Sequence, residues 1–184
     1  NEGMDVKHNP EFTTIELYQA YADYNDMMDI TEEMYKYCAK EVLGTTTVNF
    51  QGTTLELGGK WPRLTMVEAV RKYTGIDFDT MEIPEIIEKA AAIGVELDKD
   101  ISWGKALYEV FDQKIEEHLI QPTFIIDYPV EVSPLAKRKP SDKRLTERFE
   151  FFMIACEMGN AFSELNDPID QRERFMKQVA LRDA

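Results

Sequence analysis

Two acids stand in stretches that a sheet would bury. Residues 12–21 read F-T-T-I-E-L-Y-Q-A-Y, and a run this rich in β-branched and aromatic side chains favours a strand. Side chains of a strand alternate between faces, so Thr14, Glu16, Tyr18 and Ala20 share one side while Ile15, Leu17, Gln19 and Tyr21 share the other. In a second stretch, N-A-F-S-E-L at 160–165, Asn160, Phe162 and Glu164 alternate onto one face and present an amide, an aromatic wall and an acid together. An unpaired buried carboxylate is costly. Glu16 and Glu164, set between apolar neighbours, therefore point to a cation as partner, either an ammonium-bearing small ligand or a metal ion. Without those acids, Phe12, Tyr18 and Phe162 would read as ordinary core aromatics of a sheet.

Strands that carry such groups need a scaffold, and the rest of the chain supplies one. Over 25–43 the apolar positions Met28, Tyr35, Cys38, Ala39 and Val42 recur at helical spacing and Gly44 follows as a stop, which predicts an amphipathic helix lying on a sheet. Segments 46–50 and 53–57 flank Gln51-Gly52 and read as a hairpin. Thr65 caps a short helix over 66–73 that Gly75 ends. Helices are also expected over 84–93 and 103–119, so 65–119 reads as a helical insertion between sheet strands. Segment 123–128, between Pro122 and Pro129, is apolar enough for a buried strand. The stretch 133–144 concentrates basic and turn residues and is expected to be an exposed loop. Two strands, 148–156 and 160–165, precede a charged helix over 168–182 with Asp167 or Asn166 near its cap. The fold class expected is α+β, with an antiparallel sheet and flanking helices.

A chain of 184 residues, 43% hydrophobic, suits one domain with a real core. No apolar run reaches the roughly 18 to 20 residues that span a bilayer, and the chain opens on Asn1-Glu2-Gly3 rather than on a signal peptide. Opening without Met in polar sequence, it reads as a piece of something longer. Thirty-five acidic against 21 basic side chains give a net charge of −14, which argues against a nucleic-acid-binding module. The two cysteines lie far apart in apolar or small-residue surroundings, which fits a reduced, cytoplasmic protein without zinc.

Three blocks carry a more specific likeness. N-E-G-M-D-V-K-H-N-P-E-F-T-T-I-E-L-Y-Q-A-Y-A-D-Y at 1–24 resembles motif 2 of the class II lysyl-tRNA synthetases. The segment L-I-Q-P-T-F-I-I-D-Y-P-V-E-V-S-P-L-A-K at 119–137 and the block R-F-E-F-F-M-I-A-C-E-M-G-N-A-F-S-E-L-N-D at 148–167 are similar to later parts of the same catalytic domain, in the same order. The resemblance spans essentially the whole chain. It implies the class II catalytic fold, ATP and lysine as substrates of adenylate formation, tRNA(Lys) as acceptor, Mg2+ as cofactor, and a cytoplasmic homodimer.

By that resemblance, Tyr18 and Glu164 hold the distal ammonium of lysine, Asn160 the substrate carboxylate, and Phe162 and Glu16 line the same pocket. Glu2, His8 and Asn9 belong to the ATP-binding loop, Phe12 stacks on adenine, and Glu150 and Glu157 resemble the acidic pair that holds magnesium. Residues 150 and 157 have opposite parity, so a turn or bulge near Gly159, or a strand break, must intervene if they are to share a face. No protein nucleophile is required, because lysine's own carboxylate attacks the α-phosphorus. The family's motif 2 arginine falls before Asn1 and its glycine-rich motif 3 after the last helix, so this piece alone is expected to be inactive. A ligase that attaches lysine to elongation factor P, and a non-catalytic binding protein derived from a synthetase, are the alternatives. His118 reads as structural, the Glu32-Glu33 and Glu116-Glu117 pairs as solvated helix faces, and the 137–139 run as a soluble loop.

Overall fold

The computed structural model describes residues 9–182 and places two helical layers on either side of one sheet. The elements are α1 (Tyr24–Leu43), β1 (Thr47–Phe50), β2 (Thr53–Glu56), β3 (Arg63–Thr65), α2 (Met66–Thr74), α3 (Ile83–Ala92), α4 (Trp103–Lys114), β4 (Thr123–Ile126), β5 (Arg148–Met153), β6 (Cys156–Phe162) and α5 (Pro168–Arg182). Strands β3 to β6 lie side by side in sequence order, and β1 and β2 form a separate hairpin. The pairings β1–β2, β4–β5 and β5–β6 are antiparallel, as expected. The exception is β3, a short strand that runs parallel to β4 and that no alternation in the sequence revealed.

Local signals set the helix ends. Asp23 accepts from the Asn25 and Asp26 amides, Asp26 returns the contact to the Asp23 amide, and Gly44 closes α1 in a left-handed turn at φ 71°. Thr65 and Glu68 make the same reciprocal cap on α2. Asp167 caps α5 by accepting from the Ile169 and Asp170 amides. The helix expected over 103–119 stops at Lys114 and tightens into a 3-10 turn at Glu116–His118.

Alternation along the strands sorts the sheet's two faces. Phe149, Phe151 and Met153 of β5 and Phe124 of β4 pack with Trp61 against Tyr24 and Met28 of α1. Trp61 sits among Tyr35, Phe124 and Phe151, with ring centroids 5.7, 5.5 and 5.9 Å away. On the opposite face, Ile125 and Phe152 join Val70, Ile86, Leu107, Val110 and Phe111 from α2, α3 and α4. The helices between β3 and β4 thus share one core with the sheet.

Several expectations are corrected. No strand forms over 12–21: the segment is irregular and exposed, because it pairs with no other strand among the described residues, and a strand's stability comes from its neighbours. Cys38 and Val42 of α1 face outward rather than into the core. Glu32 is buried rather than solvated, its charge met by Lys36 one turn on at 2.6 Å. The basic stretch 133–144 is only partly exposed. Ser133 and Ala136 are buried, Lys139 pairs with the buried Asp127, and Arg138 donates to Asp170.

Candidate active site

The acidic pair shares one face of the β5–β6 hairpin. The two strands join through Ile154 and Ala155, whose φ values of 55° and 53° reverse the chain tightly, and whose amides donate to the carbonyls of Ile120 and Leu119. Between Phe151 and Phe152 the register then slips, so that Phe152 opposes Glu157 while Glu150 opposes Asn160. Directly opposed side chains of an antiparallel pair share a face. Turn and bulge together therefore place Glu150, Glu157, Asn160 and Phe162 on one side of the sheet: the bulge lies beside Gly159, and the turn at 154–155 breaks the stretch 148–156 expected as one strand.

Glu150 is the buried member, 6% exposed. Its two oxygens are held separately. The Tyr128 hydroxyl donates to Oε2 at 2.7 Å, and an Arg148 Nη2–H donates to Oε1. Arg148 in turn donates through Nη1 to the Val132 carbonyl and to Ser133 Oγ, both at 3.0 Å, and its guanidinium lies 4.7 Å from the centre of the Tyr128 ring. Burial pushes the Glu150 carboxyl up to about 7; Arg148 and the Tyr128 hydrogen bond oppose this, while the charges of Glu157 and Glu116 add to it. Burial, with the Glu150 charge, also raises the Tyr128 hydroxyl well above its ordinary range. Glu157 is exposed and accepts from Asn160 Nδ2 at 3.4 Å.

Other site residues lie further out. Phe162 is half-buried opposite Arg148. Glu164 is exposed just past the end of β6, where its backbone bridges Ala136; on either side Lys137 donates to the Ser163 carbonyl and Leu165 to the Leu135 carbonyl. Asn9, Phe12, Glu16 and Tyr18 are all exposed on the irregular segment, Tyr18 at 82%, and among the described residues none of the four makes a side-chain hydrogen bond. The structure therefore does not join Tyr18 to Glu164. The cost of burial invoked for Glu16 and Glu164 falls instead on Glu150. Glu2 and His8 lie outside the described residues.

Sequence reasoning missed Tyr128 and Arg148. The signal for Arg148 was available, since an R-x-E spacing in a strand puts both side chains on one face. Tyr128 carried no such mark, because it lies past the end of β4 and reaches Glu150 only through the tertiary fold. Among the described residues no three His, Cys, Asp or Glu side chains gather as a metal site. Glu150 and Glu157 are a pair, and a carboxylate with two acceptor contacts in use keeps further lone pairs.

The family model for tRNA synthetases class II (D, K and N) matches residues 1–183. A lysine–tRNA ligase of Moorella thermoacetica is 57% identical over 185 residues, covering 100% of this chain and 38% of its own length. Lysine–tRNA ligases of Pelotomaculum thermopropionicum and Bacillus subtilis are 55% and 51% identical, again over 100% of this chain and 37% of theirs. The chain thus spans under two-fifths of the length of these relatives.

Proposed function

Because the chain belongs to the class II tRNA synthetases (D, K and N), we propose that the protein is a lysine–tRNA ligase that activates lysine with ATP and transfers the lysyl group to tRNA(Lys). The observation that carries this reading is the β5–β6 face, where Glu157 and Asn160 stand beside the buried Glu150, in a chain that is 57% identical throughout to a relative named for that activity. Its helices between β3 and β4, over 65–119, are the insertion in the catalytic domain. The protein works in the cytoplasm as a homodimer. No described helix is long and apolar enough to cross a membrane.

Lysine carries an ammonium at the end of a flexible side chain, so selectivity needs an anionic partner for that group and an amide for the carboxylate. Glu164 and Tyr18 take the ammonium, Asn160 the carboxylate, and Phe162 and Glu16 line the pocket around the aliphatic stem. Glu2, His8, Asn9 and Phe12 bind ATP. The carboxylate attacks the α-phosphorus in line and pyrophosphate leaves, with positioning and charge neutralisation supplying the catalysis. A magnesium ion fits the Glu150–Glu157 pair: both donors are hard oxygens, the two carboxylates outnumber the one guanidinium that Glu150 meets, and Mg2+ completes its shell with water and phosphate oxygens. When bound, it supplies neutralisation of phosphate charge.

Lysine-dependent exchange of pyrophosphate into ATP by the full-length protein tests the reading. Lysine supports exchange and acylation of tRNA(Lys), while ornithine, one methylene shorter, supports exchange on the order of 100-fold less efficiently. Exchange that is absent, or indifferent to which of lysine, ornithine and arginine is supplied, overturns it. Exchange followed by lysylation of a protein and not of tRNA would assign the chain to a protein-modifying ligase.

A further inference from the structure

We propose that Tyr128 and Arg148 are positioning residues for Glu150, which by gripping one carboxylate oxygen each set the affinity of the Glu150–Glu157 pair for the divalent cation that accompanies nucleotide. The inference rests on the reading of that pair given above and extends it to two residues to which neither the sequence blocks nor the comparisons give a role.

Three observations carry it. First, the grip is complete and divided: Tyr128 Oη holds Oε2 at 2.7 Å and Arg148 holds Oε1, so rotation of the carboxylate about its terminal bond breaks both contacts at once. Second, each holder is itself fixed. Tyr128 is fully buried and packs edge-on to Phe111 at 6.4 Å, while Arg148 is tied to the Val132 carbonyl and Ser133 Oγ and lies over the Tyr128 ring. A glutamate has three rotatable bonds whose freedom a cation would otherwise have to remove on binding; here that loss is met on folding. Third, the arrangement is a poor choice for stability alone. A buried acid held by an arginine and a tyrosine is often no better than apolar residues of the same volume, and this one is buried on the strand face it shares with Phe152. Two hydrogen bonds leave acceptor capacity on both oxygens, so the grip orients the carboxylate without consuming it.

The test uses the full-length protein with ATP present and Mn2+ as a paramagnetic stand-in for Mg2+, its affinity read by electron paramagnetic resonance and independent of turnover. Tyr128→Phe removes one oxygen atom from a buried site. Partners that orient a metal-binding carboxylate are commonly worth 10–100-fold in metal affinity, so Tyr128→Phe is expected to weaken Mn2+ binding by about tenfold or more. Lysine affinity, read by calorimetry without nucleotide, stays within about twofold, because the ammonium and carboxylate contacts are untouched. Arg148→Lys, which keeps the charge and loses the planar fork, shifts Mn2+ binding in the same direction and decides the matter if Tyr128→Phe does not fold. Glu150→Gln sets the ceiling. Wild-type Mn2+ affinity in both Tyr128→Phe and Arg148→Lys, with affinity lost in Glu150→Gln, overturns the positioning role and leaves the metal pair standing. Wild-type affinity in Glu150→Gln overturns the pair and this inference with it, while lysine-dependent exchange would still stand.

Discussion

Replacing Asp170 by asparagine removes the one charge on which two arginines converge. Asp170 Oδ2 accepts from Arg174 Nη2 at 2.6 Å and from Arg138 Nε at 2.9 Å, and Oδ1 accepts from Arg174 Nε and Arg138 Nη2, both at 3.0 Å. Arg174 is 4% exposed, and its remaining nitrogen donates to the carbonyls of Ser133, Pro134 and Ala136. Losing the partner of a buried charge costs about 3–5 kcal/mol. Because Arg138 is 28% exposed and partly screened by solvent, the loss expected for Asp170→Asn is about 2–4 kcal/mol. Hydrogen bonds from Arg174, opposed by burial and reinforced by Arg138, hold the Asp170 carboxyl well below the usual carboxylate range. Its folded pKa is therefore depressed, so its stabilisation is fully present above the unfolded value, near 3.9, and is lost as pH falls through the folded value. Urea denaturation at pH 7 is expected to show the full difference between wild type and variant, and at pH 3.5 a smaller one. The damage should be local as well. The backbone bonds from Lys137 to Ser163 and from Leu165 to Leu135 lie beside Glu164, so hydrogen exchange at those two amides should accelerate before that of β4 and β5. A loss under about 0.5 kcal/mol, the range of ordinary surface changes, or an equal loss at both pH values, would refute the reasoning.

Two further perturbations test the frame around the site. A Cβ on Gly104, in the first turn of α4, would stand 2.7 Å from Pro129 Cβ and closer still to the Glu131 carboxylate; Gly104→Ala is expected to cost about 1–3 kcal/mol in denaturation despite alanine's better helix propensity, and a neutral or stabilising result would contradict the close approach. Ala155 holds a φ of 53° in the β5–β6 turn, so Ala155→Gly is expected to raise stability by roughly 0.5–1 kcal/mol; a loss of stability on thermal denaturation would show the turn to be unstrained.

Much of the scaffold was legible residue by residue. The helix stops at Gly44 and Gly75, the Thr65 cap, the Gln51-Gly52 hairpin and the span of α5 all lie where the sequence predicts them. Each depends on the backbone preferences of a few adjacent residues, which travel with the sequence. Strand alternation likewise foretold that Asn160 and Phe162 share a face. It failed at 12–21, where the composition suits a strand but a partner among the described residues is missing.

What the sequence by itself determined, then, is most of the local elements, the kinship of three ordered blocks, and the opposite parity of Glu150 and Glu157, which asked for a turn, a bulge or a strand break between them. Only the tertiary structure decided which acid is buried. Glu16 and Glu164 looked enclosed because their neighbours in the chain are apolar, yet both are exposed, whereas Glu150 is buried with Tyr128 and Arg148 on its carboxylate oxygens. The same holds for Glu32, and for the basic loop, whose Arg138 and Lys139 find acids remote in sequence at Asp170 and Asp127. Burial, and the ion pairs of Arg138 with Asp170 and Lys139 with Asp127, are set by segments apart along the chain that meet only on folding, so no window of neighbouring residues contains them.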